Sequence, residues 1–298
     1  MPQIAANGVS LEYETYGDPA APPLLLVMGL GAQLTLWPIE LVEALVARGY
    51  HVIRYDNRDI GLSHKHEGQT APAAPEIIAA LMAGKVPALP YALSDMADDA
   101  AGLLDALGIA QAHIVGASMG GMIAQLLTVR HPAKVLTLTS IFSTTGNPML
   151  PPATPAAMAA LLERPALTGN AAADLATMID FGVHASRAVG SPAYPAPEPA
   201  LRQRIERDYH RSFYPAGMAR QFAAIIADGD RRERIAAITA PTLVIHGIDD
   251  PLVPVEGGRD TAATIAGAKL HLIAGMGHDL PLELVGEIAG AIADHAKG

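Results

Sequence analysis

The stretch Ala112-His113-Ile114-Val115-Gly116-Ala117-Ser118-Met119-Gly120-Gly121-Met122-Ile123-Ala124-Gln125 decides how the rest of this chain is read. Ile114 and Val115 give the short apolar run of a buried strand, and Met119 to Arg130 has the composition of a helix. Between them stands Gly-x-Ser-x-Gly, centred on Ser118. Strand, sharp turn and helix are the context a nucleophile elbow requires. The serine hydroxyl must project from a strained bend above a sheet. Side chains two residues before and after it would then strike neighbouring backbone, which accounts for Gly116 and Gly120. No lysine follows the glycines, so this is not a Walker-type phosphate loop, and Gly-x-Gly-x-x-Gly is absent here.

Working outward, Gln3–Ala6 and Val9–Tyr16 read as strands joined across Asn7-Gly8, a hairpin signal. Leu24–Met28 is continuously apolar, as in a strand covered on both faces. A helix is expected over Pro38–Arg48, a strand over Tyr50–Tyr55 and a short helix over Glu76–Ala83. Ser94 is expected to cap a helix over Asp95–Leu107. Asp98 and Asp99 then fall near a helix start, where the dipole favours carboxylates. A further strand covers Val135–Phe142. From Asn147 to about Asp230 the strand signal stops, and helical runs (Ala156–Glu163, Ala171–Ala188, Glu198–Phe213, Gly217–Asp228) take over. The α/β pattern resumes with Pro241–Gly247, Glu256–Ala266, Lys269–Ile273 and Leu280–Lys297. Alternation of this kind predicts an α/β fold with a mostly parallel sheet. It divides the chain into a core of residues 1–145 and 231–298 and a helical cap over 146–230.

Removing a proton from a serine needs a base that titrates near neutrality, hence histidine. Of eleven, His278 alone sits in a loop directly after an expected core strand, above the carboxyl ends of a parallel sheet. A carboxylate must then orient the imidazole. Asp249 and Asp250 both follow the strand at Pro241–Gly247; either could serve, and Asp250 is preferred. The oxyanion needs two backbone N–H donors. Met119 supplies one and the Gly29-Leu30-Gly31 loop the other, through Leu30. His64-Lys65-His66-Glu67 lacks a partner cluster and reads as a solvated loop, so no metal site is expected. His113, His131 and His246 read as packing or capping residues.

The chain has 298 residues, half of them hydrophobic, and a formal net charge of −10 without a basic run. Nucleic acid and anionic membranes are poor partners for such a surface. It contains no cysteine, which removes disulfides, thiolate metal sites and cysteine nucleophiles together. The N-terminal residues lack a basic and apolar leader pattern, and the longest apolar run is too short to span a bilayer. A cytoplasmic protein is expected.

Five segments carry a resemblance: Leu26-Val27-Met28-Gly29-Leu30-Gly31, Arg54 to Ser63, Gly116 to Gly121, Gly247-Ile248-Asp249-Asp250-Pro251 and Gly277-His278-Asp279. With them the chain resembles the α/β-hydrolase fold superfamily over essentially its whole length. Within that superfamily it is similar to bacterial esterases of the aclacinomycin methylesterase and cofactor-free haloperoxidase-like group. The order Ser, Asp, His is the one this superfamily uses. The resemblance implies an eight-stranded sheet with a cap between strands six and seven, and Ser118, Asp250 and His278 as nucleophile, acid and base. It also implies Leu30 and Met119 as oxyanion donors, a small-molecule ester as partner, no cofactor, and a monomer or homodimer. A carboxylesterase-type serine hydrolase is therefore expected, with lactone hydrolysis, perhydrolysis or carbon–carbon bond hydrolysis as alternatives on the same triad, and a non-catalytic ligand-binding relative as an alternative outside catalysis. Cap residues Met158, Leu161, Leu162, Phe181, Phe213 and Phe222 are expected to cover the site with apolar surface. Two departures stand out: Met28-Gly29 where many members have His-Gly, and Asp59 where Gly is commoner.

Overall fold

The structure is a computed structural model and describes residues 2–298. The first strands are β1 (Gln3–Ala6), β2 (Val9–Tyr16) and β3 (Pro23–Val27), followed by α1 (Ile39–Val46) and β4 (His51–Tyr55). Next come α2 (Ala74–Met82), α3 (Leu93–Ala106), β5 (Ala112–Ala117), α4 (Met119–Arg130) and β6 (Val135–Ile141). Five helices separate β6 from the next strand: α5 (Pro155–Leu162), α6 (Ala171–Val189), α7 (Glu198–Arg211), α8 (Pro215–Asp228) and α9 (Arg232–Ile235). The chain closes with β7 (Thr242–Gly247), α10 (Val255–Thr264), β8 (Lys269–Ile273) and α11 (Val285–Ala296).

All eight strands form one sheet in the order β1-β2-β4-β3-β5-β6-β7-β8. The pairs β1–β2 and β2–β4 are antiparallel and the remainder parallel. Asn7 and Gly8 both have positive φ (46° and 77°), the backbone that a tight two-residue hairpin demands. Along β3 the side chains alternate between two cores. Leu25 and Val27 pack with α3 and α4 residues such as Leu103 and Ile123; Leu24 and Leu26 pack with Leu41 of α1 and Ile292 of α11. A strand sandwiched in this way has no polar face, which explains its unbroken apolar sequence. Helix α4 is buried from Met119 through Thr128, so the bend before it is fixed by packing on the helix side as well. Among the described residues no helix is long and apolar enough to cross a membrane.

Three local expectations need correction. Helix α3 begins at Leu93 with Ala92 as its N-cap, so Ser94 lies inside the first turn; the Asp95 carboxylate accepts the Ala92 N–H (2.8 Å) and takes over the capping role. Asp98 and Asp99 are consequently too far into the helix to serve its dipole. Asp98 instead accepts bonds from Arg130, with His131 also against it, and Asp99 forms a buried pair with Arg58. At the C-terminus Pro281 precedes a short 3-10 turn over Leu282–Leu284, and α11 proper starts only at Val285. The other boundaries agree to within one or two residues.

Candidate active site

Ser118 joins β5 to α4 at φ 57°, ψ −122°, a conformation that side-chain-bearing residues rarely adopt. The surroundings hold it there. A Cβ on Gly116 would lie 2.1 Å from the Gly120 carbonyl oxygen, and one on Gly120 would lie 1.9 Å from that of Val27. The Ser118 N–H donates to the Ile141 carbonyl (3.0 Å), and its own carbonyl accepts from Gly121, from Met122 and from the Ser143 hydroxyl. The bend is therefore bonded on both sides.

Its hydroxyl oxygen lies 2.9 Å from His278 Nε2, although 160 residues separate the two in sequence. His278 Nδ1 lies 2.7 Å from Asp250 Oδ2. A carboxylate can only accept, so Nδ1 carries the proton and Nε2 presents its lone pair to the Ser118 hydroxyl. The other Asp250 oxygen accepts the Leu252 and Val253 N–H groups, both at 2.9 Å. Asp249 points elsewhere and accepts the Gly275 N–H. Of the two aspartates left open by the sequence, only Asp250 reaches the imidazole. The Phe142 ring packs against that imidazole, with centroids 4.7 Å apart, and shields it from solvent.

Leu30 lies in the loop after β3, beside the serine: a Cβ on Gly29 would stand 3.0 Å from Ser118 Cβ. Among the described residues the Leu30 and Met119 N–H groups donate to no other protein group. Met28, in the place where many α/β-hydrolases have histidine, offers no side-chain hydrogen bond of its own; Asn57 Nδ2 ties the Met28 carbonyl instead (2.9 Å).

Residues 22–283 match the family described as alpha/beta hydrolase fold. The chain belongs to that family. This hydrolase is similar to rhodomycin D methylesterase DauP of Streptomyces sp. (strain C5), with 31% identity over 99% of this chain and 97% of the relative. Among solved structures it is similar to the enol-lactonase from Burkholderia xenovorans LB400, with a TM-score of 0.74, 25% identity and full coverage of both chains. It also shares its fold with the meta-cleavage product hydrolase CumD from Pseudomonas fluorescens IP01, at a TM-score of 0.77 and 20% identity over 100% of this chain and 97% of that one.

A cavity of about 470 Å³ lies between helices α5 to α8 of the hydrolase and the loops after β3 and β4, and Ser118, Asp250 and His278 are not among the residues that line it. Gly31 and Ile60 form part of its wall, Leu161 and Phe181 contribute apolar surface from α5 and α6, and Phe213 does so from the α7–α8 link. Met158, Leu162 and Phe222 do not line it; successive residues of a helix face different ways, and Leu162 turns toward solvent.

Residues beyond those assigned a role from the sequence also support the site. His246, fully buried on β7, has Nε2 2.8 Å from the Val253 carbonyl and 3.6 Å from Asp250 Oδ2. Burial pushes its pKa down, which keeps it neutral and able to brace the turn that carries Asp250. On the other side of the site, the Asp279 carboxylate accepts the Ser191 N–H (3.0 Å) and the Ser191 hydroxyl, while Ser191 Oγ accepts the Gly277 N–H. The α6–α7 link thus holds the loop that bears His278. Burial raises the Asp279 pKa. His113 and His131 are packing and capping residues: His113 Nδ1 meets the Thr137 hydroxyl, and His131 ends α4.

Proposed function

We propose that this hydrolase cleaves carboxylic esters through a serine acyl-enzyme, with Ser118 as nucleophile, His278 as base and Asp250 as orienting acid. The observation that carries the reading is the unbroken chain of contacts from Ser118 Oγ through the imidazole to Asp250, at 2.9 and 2.7 Å. As Ser118 Oγ bonds to the ester carbonyl carbon, its proton passes to His278 Nε2. The carbonyl oxygen becomes an oxyanion between the Leu30 and Met119 N–H groups, each contributing about 3–4 kcal/mol to the transition state. The tetrahedral species collapses, the alkoxide leaves with the proton from His278, and water then repeats the sequence on the acyl-enzyme. Residues 146–230 act as the cap, and its apolar wall selects a hydrophobic acid portion. The methylesterase relative supports a methyl ester as the substrate class.

A fluorophosphonate probe tests this reading. One adduct per chain is expected, on the peptide that contains Ser118, and a hydrophobic methyl ester should protect against it. Labelling elsewhere, or none, would remove the acyl-enzyme from consideration. A second reading, lactone hydrolysis by the same steps, draws support from the enol-lactonase neighbour. A panel pairing lactones with open-chain methyl esters of matched size separates the two by kcat/KM.

A further inference from the structure

We infer that Gln221, on cap helix α8, is a positioning residue for the oxyanion loop, so that the Leu30 donor is in register only while α8 is seated on the core. This rests on the serine-hydrolase reading above and extends it to a residue outside every motif.

The geometry is specific. Gln221 is fully buried. Its Oε1 accepts the Gly31 N–H at 2.9 Å, and its Nε2 donates to the Arg58 carbonyl at 2.9 Å. One partner is a donor and the other an acceptor, so the amide has a single satisfying orientation. Gly31 immediately follows Leu30. At the other end of the same loop, Asn57 holds the Met28 carbonyl. The peptide units on either side of the Gly29–Leu30 unit are therefore both tied, one by the core and one by the cap. Gly29 O in turn accepts the Ala32 N–H (3.3 Å). The Gly29–Leu30 unit, whose N–H would face the oxyanion, is left with little freedom to rotate.

Gly31 itself has φ +68°, and the space where its Cβ would stand is filled by the Met218 side chain at 3.0 Å, also from α8. The helix is seated closely on the β4 loop, where a Cβ on Gly217 would lie 2.0 Å from the Asp59 carbonyl oxygen, and Arg220 of the same helix bonds the Asp59 carboxylate. Gly217, Met218 and Gln221 thus present one continuous face of α8 to the loops after β3 and β4. Preorganisation is what makes an oxyanion donor effective, since the cost of orienting it is met before reaction. Here folding of the cap would supply that orientation.

The test compares wild type with Gln221→Met, which keeps the length and loses both hydrogen bonds, and Gln221→Glu, which keeps an acceptor facing Gly31. Kinetics on a hydrophobic methyl ester are read beside inhibition by a trifluoromethyl ketone, whose hemiketal oxygen takes the oxyanion position. For Gln221→Met, kcat should fall about 10- to 100-fold, less than the 10²–10³ expected for deleting a donor outright. KM should stay within about threefold, and the ketone Ki should rise by the same factor as kcat falls. Gln221→Glu should retain clearly more of both. A residue that merely stabilises the fold would lower Tm and leave kcat and Ki unchanged well below the melting range; that outcome, or equal losses in the two variants, overturns the assignment. Phosphonate capture by the wild type is run alongside. Failure of capture defeats the serine-hydrolase reading itself, whereas capture with unaltered Gln221→Met kinetics defeats only the role given to Gln221.

Discussion

Ser118→Ala and His278→Ala should each lower kcat for ester cleavage by about 10⁶-fold, and the double variant should lose little more than either alone. Nucleophile and base act as one unit: without the imidazole the hydroxyl keeps its proton, and without the hydroxyl the imidazole has none to take. KM should move far less, because the cavity wall from α5 to α8 is untouched. Asp250→Asn should cost about 10⁴-fold, since an amide can donate to Nδ1 and would stabilise the wrong tautomer. The neighbouring Asp249→Asn, whose target is the Gly275 N–H, should cost less than about tenfold because an amide oxygen still accepts that bond. Single-turnover and steady-state rates on one ester panel measure all five variants. Near-wild-type turnover by Ser118→Ala, or a loss on Asp249→Asn matching that on Asp250→Asn, would show that the contacts at 2.9 and 2.7 Å are not the reacting ones.

The contact between Ser118, His278 and Asp250 is legible in the sequence because each follows the end of a strand whose apolar run is plain. In a parallel sheet, loops at those ends converge whatever their separation in sequence. The sheet is legible for the same reason: β3, β5 and β7 are built on short apolar runs (Leu24–Val27, Ile114–Val115 and Leu243–Ile245), as strands covered on both faces are. Gln221, Asn57 and His246 were invisible to this kind of reading. A glutamine on an amphipathic helix looks solvated until the fold brings it to a glycine 190 positions away. His246 gave only a strand-end histidine, and nothing local told that its imidazole backs the turn of Asp250. Asp98 and Asp99 are the opposite case: the helix dipole is a local signal, and partners distant in sequence, Arg130 of α4 and Arg58 of the β4 loop, decide where these carboxylates bind. The Ser94 boundary failed because Asp95 can cap from within the first turn as well as a serine can from outside it.

Arg220→Met should destabilise the folded protein by about 3–5 kcal/mol, the range expected when one member of a buried ion pair is removed and the other is left charged. Asp59 is wholly buried at φ 71°, and Arg220 of α8 reaches it with a two-pronged contact at 2.7 and 2.9 Å. The guanidinium also donates to the Gln69 carbonyl and lies over the Tyr214 ring. Burial alone would raise the Asp59 pKa; the Arg220 bonds and the His66 N–H outweigh it and hold the carboxyl below its ordinary value. With the folded pKa depressed, the pair's contribution is present above the unfolded value of about 3.9 and is lost as pH falls through the folded one. In Arg220→Met the sign reverses, because burial then dominates and raises the carboxyl pKa. The variant is penalised most at neutral pH, and protonation of Asp59 relieves it as pH falls. Urea unfolding should therefore show the gap between wild type and Arg220→Met narrowing from pH 7 toward pH 4. Adding Asp59→Asn should recover more than about 1 kcal/mol at pH 7, since asparagine tolerates the left-handed backbone and carries no charge to strand. A pH-independent gap, or no recovery in the double variant, would mean that Arg220 holds α8 through packing on Tyr214 and not through Asp59.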